Sequence, residues 1–101
     1  MADFKETIPL GELPPGTSTT IEVDGVSVAL FNVNGTIYAI SDSCLHAGHS
    51  LGYGVLEGHV VRCRGHGWRF DVQTGLVVGA EIGVPCYAAK VEGETILVAI
   101  A

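Results

Sequence analysis

A chain of 101 residues, 48 % hydrophobic and 16 % charged, holds material for one compact domain and little to spare for a second. That apolar content argues against disorder, and a formal net charge of −6 argues against generic nucleic-acid binding, which needs a basic footprint. No run approaches the roughly 20 apolar residues of a membrane span. Met1–Glu6 lacks the basic-then-apolar pattern of a signal peptide, so the expectation is a cytoplasmic protein with no membrane partner. Three cysteines are too few and too odd for a disulfide framework and read as ligands or buried thiols.

In chain order, Phe4–Pro9 predicts a first strand, and Leu10–Gly16 is turn-rich with room for at most one helical turn. Thr19–Val23 and Val26–Val33 flank Asp24-Gly25, and Val26–Val33 and Thr36–Ser41 flank Asn34-Gly35. Both dipeptides are strong hairpin signals, so three consecutive antiparallel strands follow from local chemistry. Asp42–Gly58 loses the alternation and reads as a long functional loop rich in Gly, Ser and His. Strands are predicted at Gly58–Cys63, Trp68–Val72 and Leu76–Val78, with a tight turn at Arg64–Gly67. A last hairpin joins Tyr87–Val91 to Thr95–Ala99. The fold class is all-β, eight to ten short strands in an antiparallel sandwich or partly open barrel, forming one domain over residues 1–101.

The chemistry concentrates in Cys44-Leu45-His46 and, sixteen residues later, Cys63-Arg64-Gly65-His66. Each half offers one thiolate and one imidazole from a tight turn eased by Gly48, Gly65 and Gly67. Three readings compete. The four residues are unrelated; or they hold structural zinc in a tetrahedron of two thiolates and two imidazoles; or they hold a [2Fe–2S] cluster with both cysteines on one iron and both histidines on the other. Zinc sites usually keep cysteine pairs and histidine pairs separate, with two to five residues inside each pair. Mixed pairs suit the two-iron cluster, because each loop then spans both irons.

The motif continues as Gly67-Trp68-Arg69-Phe70-Asp71, then Thr74-Gly75 and Pro85. With that continuation the chain resembles, over nearly its whole length, the Rieske-type ferredoxins of bacterial aromatic-ring dioxygenase systems. The resemblance implies a β-sandwich base with a cluster-binding subdomain at about residues 43–72. It implies one Rieske-type [2Fe–2S] cluster, with Cys44 and Cys63 as thiolate ligands and His46 and His66 as imidazole ligands. It also implies a monomeric one-electron carrier, not an enzyme, between a flavin-containing NAD(P)H-dependent reductase and a terminal oxygenase. The alternatives are a Rieske-like small subunit of a larger reductase such as nitrite reductase, and a zinc-stabilised interaction module. Respiratory Rieske proteins carry an extra cysteine in each ligand loop and hydroxyl donors beside the cluster. Here His49 and Gly65 stand at the cysteine places and Trp68 and Phe70 at the hydroxyl places, which implies a potential at the lower end of the Rieske range.

Of the remaining residues, Cys86 reads as a small buried hydrophobe, His59 as a surface side chain on a strand, and Trp68 as core packing. Arg62, Arg64 and Arg69 bracket the second ligand pair and read either as a docking surface for an acidic partner or as an ordinary solvated face.

Overall fold

The structure is a computed structural model and describes residues 3–43, 50–65 and 67–100. Nine strands are described: β1 (Lys5–Pro9), β2 (Ser18–Val23), β3 (Val26–Val33), β4 (Thr36–Ser41), β5 (Val55–Glu57), β6 (Val60–Arg62), β7 (Arg69–Asp71), β8 (Cys86–Glu92) and β9 (Thr95–Ala99). They form a six-stranded antiparallel sheet in the order β1-β9-β8-β4-β3-β2, which curls towards a barrel, and a three-stranded sheet β5-β6-β7. The all-β expectation holds, and the only helices among the described residues are single 3-10 turns at Leu10–Glu12 and Leu51–Tyr53.

The two dipeptide turns behave as their chemistry requires. Asp24 (φ 49°) and Gly25 (φ 81°) join Val23 to Val26, and Asn34 (φ 52°) and Gly35 (φ 95°) join Val33 to Thr36. Positive φ at both loop residues matches the right-handed twist of the flanking strands, and Asp, Asn and Gly adopt it at little cost. These turns set the register of β2, β3 and β4.

That register buries β3 on both faces. Val28 and Leu30 point into the curled sheet with Leu13, Val23, Ile37, Ala39, Ile96 and Val98. Ala29, Phe31 and Val33 point the other way, into a second core shared with the small sheet through Val61, Cys63, Phe70 and Val72. Phe31 and Phe70 are fully buried in this interlayer core, each contributing about 1.5–3 kcal/mol of burial. The small sheet is therefore held on the barrel by apolar packing.

The middle of the chain differs from its prediction. Within Asp42–Gly58 the structure has the Leu51–Tyr53 turn and strand β5, whose three residues are too short for alternation to stand out. Strands predicted at Gly58–Cys63 and Trp68–Val72 shorten to β6 and β7, which places His59 in the β5–β6 turn with its ring edge-on to Tyr38. Leu76–Val78 makes only isolated bridges, Phe70 with Val77 and Leu76 with Gly83.

One carboxyl group ties the start of this region to the barrel. Oδ1 of Asp42, a buried residue, accepts hydrogen bonds from Thr20 Oγ1, Ser50 Oγ and the Gly52 N–H, each at 2.8 Å. Each hydroxyl has one proton and spends it on Oδ1, so the 2.9 Å approach of Thr20 to Ser50 is a contact and not a further bond. Gly52 fits here because a Cβ would collide with Thr20 Oγ1 and the Thr19 carbonyl. Replacing Asp42 with Ala strands a buried N–H and should lower unfolding stability by about 2–3 kcal/mol in denaturant titration. An Asp42→Asn variant, which keeps an acceptor oxygen, should lose less; equal losses would show that the oxygen is not what matters.

Cys86 corrects the buried-thiol expectation: it is the first residue of β8 and exposed, its Sγ donating to the Gln73 carbonyl at 3.4 Å. Partial burial of the thiol, and then the negative charge of Asp71, raise its pKa above the ordinary cysteine value. Less thiolate is then present at any given pH. Alkylation by iodoacetamide, followed by mass spectrometry of the peptide that contains Cys86, should be slower at pH 8 than for a free small thiol and accelerate only at higher pH. A rate equal to that of the free thiol would contradict this environment.

Candidate metal centre

The second ligand segment is a hairpin loop built on alternation. Val61 and Cys63 face the interlayer core, fully buried, while Arg62 and Arg64 face solvent. Across the sheet Val61 pairs with Phe70 and Arg62 with Arg69. The ladder runs one step past the strand ends, where the Cys63 N–H donates to the Trp68 carbonyl at 2.7 Å. The Gly67 N–H returns a bond to the Cys63 carbonyl at 3.0 Å, with Gly67 at φ 76°, where other residues would be strained. Cys63 is thus fixed by both of its backbone groups at the mouth of a tight turn.

The first ligand segment, Cys44–His49, is held at its two stems. Ser43 pairs with Ser50, and the Leu51 N–H donates to the Asp42 carbonyl at 2.6 Å. The Asp42 carboxyl bonds described above lock the same two stems to β2. Cys44, His46 and His49 lie outside the described residues, as does His66 of the second segment.

What the structure does show is how the two segments are brought together. The Leu51–Tyr53 turn that follows the first segment leans on β2 through Ser18 Oγ, which donates to the Gly52 carbonyl at 2.8 Å. Gly54 then packs against β6 so closely that a Cβ would sit 2.7 Å from the Arg62 carbonyl and 2.8 Å from Val61 Cγ2. From the second segment, Arg64 Nε donates to the Tyr53 carbonyl. The residues just after the first loop are therefore bonded to the tip of the second. Sequence reasoning missed this staple and the Asp42 knot, since their partners lie 8 to 22 residues apart and leave no periodic signal.

Of the four expected ligands, Cys63 is placed where a metal-binding thiolate would be protected: fully buried and unbridged, with water excluded by Phe70 and Val72 in the same core and by half-buried Trp68 packed against it. Cys86 and His59 lie elsewhere. Among the described residues, no three His, Cys, Asp or Glu side chains gather as a metal site. A soft thiolate from a hairpin loop, beside a second loop carrying the same kind of Cys/His pair, is a donor set that fits a [2Fe–2S] cluster with mixed ligation.

Comparison with known proteins agrees with this fit. The model of the Rieske [2Fe-2S] domain matches residues 4–91. The biphenyl dioxygenase ferredoxin subunit of Pseudomonas sp. (strain KKS102) is 37 % identical over 101 residues, covering 94 % of this chain and 90 % of its own. The solved ferredoxin of carbazole 1,9a-dioxygenase from Nocardioides aromaticivorans IC177 superposes with a TM-score of 0.87 at 34 % identity, covering 97 % of this chain and 98 % of that one. A chain in the solved complex of reduced oxygenase and oxidized ferredoxin in carbazole 1,9a-dioxygenase matches with a TM-score of 0.86 at 27 % identity, covering 95 % of this chain and 92 % of its own. The matched domain type also decides between the two metal readings, in favour of iron and sulfur over zinc. The chain belongs to the Rieske [2Fe–2S] domain family, and its cofactor is one Rieske-type [2Fe–2S] cluster.

Proposed function

We propose that the protein carries single electrons from a flavin-containing, NAD(P)H-dependent ferredoxin reductase to a terminal aromatic-ring hydroxylating oxygenase. Cys44 and Cys63 hold one iron of the cluster, and His46 and His66 hold the other. The ligands come from a subdomain at about residues 43–72 of a single domain spanning 1–101. The observation that carries the reading is the hairpin placement of Cys63, buried and bonded at both backbone groups, beside the stapled stem of the first Cys/His segment. Relatives of matching length are named as ferredoxin components of dioxygenase systems, which supports a carrier and not a catalyst.

When bound, the cluster supplies a one-electron couple. The chain's own residues set its surroundings. Val61, Phe70 and Val72 exclude water on the cysteine side, and the backbone bonds of Cys63 to Gly67 and Trp68 hold that residue in place. Phe70 brings no hydroxyl to the site, and Trp68 brings only an indole N–H, so added negative charge gains no O–H hydrogen bond from either. A monomer in the cytoplasm suits this role, and no helix among the described residues is long and apolar enough to cross a membrane.

The test is iron analysis with a redox titration. Two irons per chain and a one-electron wave near the lower end of the Rieske range, about −150 mV, are expected. A strongly positive midpoint, or a colourless protein with stoichiometric zinc, would overturn the reading.

A further inference from the structure

Five residues in the whole chain are Lys or Arg, and three of them, Arg62, Arg64 and Arg69, stand together on the ligand-loop end of the small sheet. Arg62 and Arg69 are direct cross-strand partners on its outer face, opposite the buried Val61 and Phe70. Two like charges in register repel each other. Among the described residues neither guanidinium has an ion pair; the two such pairs present join Lys5 to Asp3 and Lys90 to Glu92. Glu57 and Asp71 lie on the same face two residues further from the ligand loops, so the face is polarised, basic near the loops and acidic away from them.

The basic end has an apolar border. Val78, 52 % exposed, donates its N–H to the Arg69 carbonyl and so continues the row Arg62–Arg69. Tyr53, 64 % exposed, lies at the other side, where its carbonyl holds Arg64. On a chain of net charge −6, a basic patch without ion pairs among the described residues, flanked by exposed Tyr and Val, is the complement of an acidic protein surface with apolar groups at its edges.

We infer that this face, built on Arg62, Arg64 and Arg69 with Tyr53 and Val78, is the docking surface for an acidic redox partner. It holds the ligand-loop end of the chain against that partner while the acidic row of Glu57 and Asp71 sets the orientation. The inference rests on the carrier reading: the molecule repels anions as a whole and attracts them where the electron leaves.

The test uses the reduced, cluster-loaded protein with two one-electron oxidants, the anion hexacyanoferrate(III) and the cation hexaamminecobalt(III). Each takes one electron from the protein and becomes the iron(II) or cobalt(II) complex. Oxidation by the anion should slow as salt is added, because screening removes its attraction to the arginine patch. A molecule of net charge −6 without such a patch would react faster with the anion as salt is added; the cation, attracted by the net charge, reports the whole-molecule field. Poly-L-glutamate, at matched ionic strength, should compete with the anion and slow its reaction. In an Arg62→Glu/Arg69→Glu variant the anion's low-salt rate should fall by about tenfold, and the effect of poly-L-glutamate should vanish. Should that variant not assemble its cluster, Arg62→Gln/Arg69→Gln removes the charge without reversing it and must weaken both effects. An anion reaction that speeds up with salt, or a poly-L-glutamate effect that survives in the variant, would overturn the inference. Visible absorption keeps the two readings apart, since a protein without a cluster fails the carrier reading before any salt dependence is measured.

Discussion

Alternation along Val61-Arg62-Cys63-Arg64 is the constraint from which the rest of the site follows. In an extended strand successive side chains point to opposite faces, so one register buries Cys63 with Val61 and exposes both arginines. A slip of one residue would turn the thiol to solvent and drive guanidinium groups into the interlayer core, where an unpaired charge is not tolerated. Phe70 opposite Val61, fully buried in the same core as Phe31, makes that slip expensive. The same pairing places Arg62 opposite Arg69, so the repulsion on the outer face is a direct consequence of the register that buries Cys63.

The first ligand loop depends on a different device. Its stems are held by polar bonds to Asp42 and not by apolar alternation, and those bonds reach β2 through Thr20. Gly52 and Gly54 let backbone approach backbone at the two points where a side chain would intrude. Together with the Arg64–Tyr53 bond, these contacts join two loops whose proposed ligand pairs are separated by sixteen residues of sequence. A cluster that must be held by both loops needs such a frame, because loops free to move apart would add ordering entropy to the cost of binding.

Much of this was legible in the chain. Asp24-Gly25 and Asn34-Gly35 announced their hairpins, and the bounds of β3, β4 and β9 came out as read, because turn chemistry and alternation are local. The mixed Cys/His spacing pointed to iron–sulfur ligation for a chemical reason, the need for each loop to reach both irons. Strand β5 was lost inside a supposed loop, since three residues carry no readable period. Cys86 was misplaced because a single thiol beside a strand signals packing and exposure equally well. Asp42, Thr20, Ser50 and Tyr53 could not be linked from sequence, as tertiary hydrogen bonds between polar residues follow no repeat.

The family is shown by the domain match over residues 4–91, and the proposed ligation adds to it one arrangement, a cysteine and a histidine from each of two segments on a single cluster. Pulsed EPR of the reduced protein, prepared with 15N-labelled histidine, measures that arrangement most directly. The account predicts a paramagnetic cluster coupled to the nitrogens of two histidine ligands, in keeping with a pair of imidazoles on one iron. A reduced centre with no coupled histidine nitrogen, or with only one, would contradict it.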